Sequence, residues 1–102
     1  MEWELRESHR VGGYAFHWFR RGGEWVVAVW KEDEEPERPV ADDFRRALTV
    51  HHVSGEENPS GDTKRLRQFC ERFLNDIPFR VRAIRNKIPT LDALVRPRPS
   101  GS

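Results

Sequence analysis

Four histidines, His9, His17, His51 and His52, are the only side chains of this sequence that titrate near neutrality without help from their surroundings. His51 and His52 are adjacent, so on a strand they point to opposite faces and cannot chelate one metal together. A set of His17, one of that pair, and Asp42 or Asp43 is the one conceivable metal group. Ordinary sheet or loop histidines are the simpler reading. Cys70 is the single cysteine, which forbids an internal disulfide and a multi-cysteine zinc site. A nucleophilic thiol needs an electropositive, partly exposed site and a base. Cys70 instead falls on an apolar helical stripe, as a small core residue does. The paired acids Glu34-Glu35, Asp42-Asp43 and Glu56-Glu57 are sequence neighbours that point apart, so they read as solvated charge. No Gly-rich phosphate loop is present, because the pairs Gly12-Gly13 and Gly22-Gly23 lack the required spacing. The chemistry therefore points away from an enzyme, and to no metal and no cofactor.

Charge is the stronger signal. The chain carries 18 Lys and Arg against 17 Asp and Glu, for a formal net charge of +1. That near balance hides a split. Residues 1–62 hold 8 basic and 14 acidic side chains, whereas residues 63–102 hold 10 basic and 3 acidic. A basic half of this kind suggests an anionic partner. The candidate residues are Arg65, Arg67, Arg72, Arg80, Arg82, Arg85 and Lys87, with Arg20 and Arg21 as possible helpers. Arginine outnumbers lysine 15 to 3, which suits bidentate contacts to phosphate, although GC-rich coding alone would give the same bias. The competing account is internal: the run Glu32-Asp33-Glu34-Glu35 folds back onto these arginines and neutralises them.

Aromatic side chains are the third signal. Tyr14, Phe16, Trp18, Trp25 and Trp30 fall on two adjacent predicted strands, beside Arg20 and Arg21. Exposed sheet aromatics flanked by arginines stack single-stranded bases, and Trp and Arg are enriched at protein interfaces. Aromatics on strands are more commonly core, and this chain has few Leu and Ile to build one.

The elements that must position these residues follow from periodicity. Residues 2–7, 13–20 and 24–31 alternate or are β-rich and predict an antiparallel meander, turned at the glycine pairs. Residues 25–30 are apolar on both faces, so both faces of that strand need cover. One cover is a helix. The other is the segment 79–95, a second copy of the chain, or a partner. Lys31–Pro39 is a charged, proline-broken loop, a short helix is predicted over 41–48, and Thr49–Val53 is a fourth strand. Leu66, Phe69, Cys70, Phe73, Leu74 and Ile77 make a complete helical stripe over 63–77, with Asp62 as N-cap and Pro78 as terminator. Phe79, Val81 and Ala83 alternate with Arg80 and Arg82, which favours a strand over 79–84. Ile77, Val81, Ile84 and Ile88 also fit a helical stripe, and both readings stay open. Thr90 is a candidate cap for a short turn carrying Leu91, Leu94 and Val95, and residues 96–102 are tail-like.

These elements fit within 102 residues as one α+β domain over 1–95: an antiparallel meander of about four strands on one main helix, followed by a basic C-terminal segment. Leu, Ile, Val and Phe number 24, enough for a small core and too many for default disorder. No apolar run approaches the roughly 18 residues of a membrane span. The acidic N-terminus is not a leader peptide, and with a lone cysteine this predicts a cytoplasmic setting. The expected function is a small non-enzymatic accessory protein that engages nucleic acid or a nucleoprotein through its basic part. The alternative is a protein-interaction module or inhibitor, with a homodimer as one form, that uses the aromatic sheet or the acidic loop. A histidine-based enzyme ranks last.

Overall fold

The computed structural model describes residues 2–53 and 63–95. A four-stranded antiparallel sheet runs β1 (Glu4–Val11), β2 (Tyr14–Arg21), β3 (Glu24–Lys31) and β4 (Thr49–His52), paired in chain order. Three helices follow: α1 (Thr63–Asn75), α2 (Ile77–Arg85) and α3 (Lys87–Val95). The fold is α+β, as the residue pattern predicts.

Both hairpins are two-residue turns. Gly12 and Gly13 both adopt positive φ, 61° and 84°, the type I′ pattern. In the second hairpin only Gly22 is positive, at 60°, which fits type II′. In β1 the register slips between Leu5 and Glu7, so Arg6 is an extra residue opposite β2. This bulge turns the strand over, leaving Leu5 opposite Phe19 and Glu7 opposite Trp18.

β3 is covered on both faces from within the chain. On one face Phe16, Trp18, Trp25, Val27 and Val29 pack against Leu66, Phe69, Cys70 and Phe73 of α1 and Phe79 and Ala83 of α2. On the other, Phe19, Val26, Ala28, Trp30 and Val50 pack against Phe44, Ala47 and Leu94. The second cover thus comes from the 3-10 turn Ala41–Arg46 together with α3, and Val27 and Val29 are not available to a second copy.

Several expectations are corrected. The segment 79–84 is helical, not a strand. Asp76 caps α2 by accepting from the Phe79 amide at 3.0 Å, and Pro78 in the first turn has no donor to lose. Pro78 therefore opens the second helix instead of ending the first, and α1 stops at Asn75. The alternation that suggested a strand arises because Phe79 and Ala83, four apart, face the core while Val81 faces solvent. The helix over 41–48 is a 3-10 turn, held by the Val40 amide donating to Asp43 Oδ2 at 2.9 Å. Thr90 lies inside α3, its amide bonded to the Asn86 carbonyl at 3.0 Å, and is not a cap. The Asp62 cap and the 96–102 tail lie outside the described residues.

Candidate anion-binding site

β4 carries His51 to the α1 side of the sheet, opposite Val27. There its ring lies 5.5 Å from Phe69 and 5.7 Å from Phe79. The hydroxyl of Thr49 donates to the Ala83 carbonyl and ties α2 to the same strand. Arg72 comes from the last turn of α1, Arg82 from α2, and Asn86 from the residue that follows it. His51, Arg72, Phe79, Arg82, Ala83 and Asn86 line one pocket of about 250 Å³.

The lining of the pocket is rich in hydrogen-bond donors. The Arg72 guanidinium sits 4.0 Å over the Phe79 ring, and its Nε is 3.9 Å from Asp76 Oδ2, a long and solvent-exposed pair. Phe79 is buried and its face is taken by Arg72, so it orients the guanidinium and is not a platform for a base. Two guanidiniums, an imidazole and a carboxamide around one opening supply donors for phosphate oxygens. Arg65 lies seven residues before Arg72 on α1, two turns or about 10 Å away on the same face.

The other predicted cations are dispersed. Among the described residues Arg67, Arg80, Arg82 and Arg85 form no ion pair. The acidic run does not neutralise them, because Glu35 pairs with Arg10 and His17 instead. Arg20 donates to the Gly22 carbonyl at 2.7 Å and lies 5.8 Å from the Trp25 ring. Arg21 stacks 4.4 Å over Trp3, pairs with Glu24 at 3.1 Å, and lines a different pocket beside Phe44 and Leu91. Lys87 Nζ donates to the Arg45 carbonyl at 2.7 Å, and burial lowers its pKa. Arg20, Arg21 and Lys87 thus serve local structure. The proposed aromatic interface is also corrected: Phe16, Trp18, Trp25 and Trp30 are buried and Tyr14 half-buried, because both sheet faces are covered from within. Cys70 is core, with burial pushing its thiol up to about 12.

One polar cluster has no counterpart in the sequence reading. His17 is buried, with Nδ1 2.8 Å from Ser8 Oγ and Nε2 3.1 Å from Glu35 Oε1. Arg10 grips both oxygens of Glu35 through Nε and an Nη. The Arg10 guanidinium holds the Glu35 carboxyl below its usual range, so it is ionised and only accepts. Burial lowers the His17 pKa, so the ring is neutral at pH 7, donating from Nε2 to Glu35 and accepting the Ser8 hydroxyl proton at Nδ1. The serine–histidine–carboxylate order is that of a nucleophile relay. Here it straps the acidic loop to β1 and β2, and it contributes no donors to the basic pocket.

Comparison with family models, with curated proteins and with solved structures finds no match to this chain.

Proposed function

We propose that this chain is a non-catalytic nucleic-acid-binding domain that grips the phosphate backbone through the Arg72–Arg82 pocket and the adjoining face of α1. The observation that carries the reading is the convergence of Arg72, Arg82, His51 and Asn86 on one opening. Its support is that Arg80, Arg82 and Arg85 of α2 form no ion pair among the described residues. Donors of this kind take phosphate oxygens from any sequence, so binding is sequence-tolerant, and the buried aromatics supply no base-stacking surface. The partner is an accessible phosphate backbone, and the domain acts as an accessory that holds it.

The test is a titration with labelled single- and double-stranded oligonucleotides of unrelated sequence, at low and at moderate salt. Binding at low salt that weakens with salt, and weakens alike for all sequences in Arg72→Ala and Arg82→Ala, is the expected result. Absence of binding at low salt overturns the proposal.

A further inference from the structure

α2 has two opposed faces. Phe79 and Ala83 are 6% and 3% exposed and belong to the core. On the other side Ile77, Val81 and Ile84 are 58%, 40% and 36% exposed, and Ile88 in the first turn of α3 is 61% exposed. Their intervals of four, three and four residues bring all four to one side of a helix, roughly opposite Phe79 and Ala83. The helical ladder continues through the junction: Asn86 N–H donates to the Arg82 carbonyl at 2.9 Å, and Thr90 N–H to the Asn86 carbonyl at 3.0 Å. Pro89 cannot donate to the Arg85 carbonyl, which explains the division of the two helices at Asn86. The seam spans roughly 17 Å, three turns of helix. A contiguous row of branched aliphatic side chains in solvent is the kind of surface that marks an interaction site.

The flanks say what covers it. In a heptad with Val81 and Ile88 at a, and Ile77 and Ile84 at d, Arg80 and Lys87 fall at g and Arg85 at e. Every charged e or g position between Ile77 and Ile88 is therefore cationic, and the first acid in the register, Asp92 at the next e, lies past the end of the seam. Lys87 is held by the Arg45 carbonyl, whereas Arg80 and Arg85 have no carboxylate partner among the described residues. Pairing with a second copy sets Arg80 against Arg85 when the helices run parallel and Arg80 against Lys87 when they run antiparallel, and such like-charge contacts disfavour it. The chain's own acidic turn, Glu32–Glu34, has no apolar side chain to fill the seam.

We propose that the Ile77–Val81–Ile84–Ile88 seam docks an acidic amphipathic helix of a partner protein, with aliphatic residues at the same spacing and Glu or Asp on its flanks. This surface is separate from the polyanion pocket, which lies on the Arg82 side of α2, and neither proposal rests on the other.

The probe is a pair of synthetic peptides of about three heptads, identical at their aliphatic a and d positions, with Glu at every e and g in one and Lys in the other. The Glu peptide saturates the chain in fluorescence anisotropy and gains helicity on mixing. The Lys peptide binds more than about tenfold more weakly. Ile84→Asp, an exposed substitution, abolishes Glu-peptide binding while melting and oligonucleotide binding stay unchanged. Should Ile84→Asp fold poorly, Val81→Ser gives the same reading. The double variant Arg80→Glu/Arg85→Glu exchanges the two peptide preferences. Equal binding of both peptides, or binding that survives Ile84→Asp, overturns the proposal. So does a micromolar dimer in sedimentation that Ile84→Asp dissociates, which assigns the seam to a second copy. Seam-dependent binding to phosphatidylserine vesicles without Glu-peptide binding overturns it in favour of a lipid surface.

Discussion

At the scale of single residues, the buried His17 strap makes the fold acid-sensitive in a defined order. Burial pushes His17 below its ordinary value of 6.5, and the opposing pull of Glu35 is the smaller effect. Glu35 lies below its ordinary 4.5, chiefly through its hydrogen bonds from Arg10, with His17 adding to the same direction. Between its folded and unfolded values each group binds more protons in the unfolded chain, so stability rises with pH there. The His17 contribution is complete above 6.5 and is lost as pH falls below it, and the Glu35 contribution is lost in turn below 4.5. Urea midpoints measured from about pH 7.5 down to about pH 3 are expected to fall in that sequence. His17→Phe, which keeps a ring in the site, removes the first decline. A midpoint that declines identically in His17→Phe assigns the acid sensitivity elsewhere. This strap was illegible in the sequence for physical reasons. Alternation places His17 on a buried sheet face, which signals a polar group in need of a partner. Its partner across the sheet, Ser8, follows from the two-residue Gly12-Gly13 turn but lies beyond the 2–7 strand that alternation predicts. Its other partner, Glu35, arrives from a loop that no periodicity describes.

At the scale of elements, α1 was legible because its apolar stripe is complete and its opposite face is charged. Phe73→Ala empties a site with no solvent exposure and is expected to cost roughly 3–5 kcal/mol. Arg67→Ala, on the exposed face, is expected to cost less than about 0.5 kcal/mol. Comparable shifts in thermal midpoint for the two variants contradict this phase of the helix. The hairpins give a second contrast. Gly12 has a φ of +61°, and a Cβ there would stand 2.7 Å from Leu74 Cδ2, whereas Gly23 has open space and no positive φ. Gly12→Ala is therefore expected to destabilise by about 1–2 kcal/mol and Gly23→Ala by much less. Chemical denaturation of the two variants side by side checks this ordering. α2 was ambiguous because only Phe79 and Ala83 of its nine residues are buried. A helix with so narrow a core face carries apolar residues on its solvent face as well, and the two sets together imitate the alternation of a strand. Asp76 decides between them, through a hydrogen bond that depends on the cap conformation and not on hydrophobic spacing.

At the scale of the whole molecule, the sequence exposes the need for two covers over β3 but not where they come from. The 3-10 turn Ala41–Arg46 and α3 are separated in the chain by β4, α1 and α2, and each contributes only a few side chains to the second core. Because those covers are internal, Phe16, Trp18, Trp25 and Trp30 are buried, and both proposed contacts lie on the helical side. Among the described residues, Glu35 pairs with Arg10 and Glu24 with Arg21. Under the proposed reading, Arg67, Arg80, Arg82 and Arg85, which form no ion pair among the described residues, present a field that any polyanion would meet. The salt dependence of oligonucleotide binding separates a built site from that diffuse attraction. For a single strand, log affinity falls against log salt by about 0.7 for each phosphate neutralised, and for duplex DNA by about 0.9. If Arg72 and Arg82 each neutralise a phosphate, Arg72→Ala/Arg82→Ala flattens the single-strand slope by about 1.4. Arg80→Ala/Arg85→Ala, on the flanks of the seam, flattens it far less. Equal flattening by both pairs would make the binding a property of total charge, with no privileged pocket.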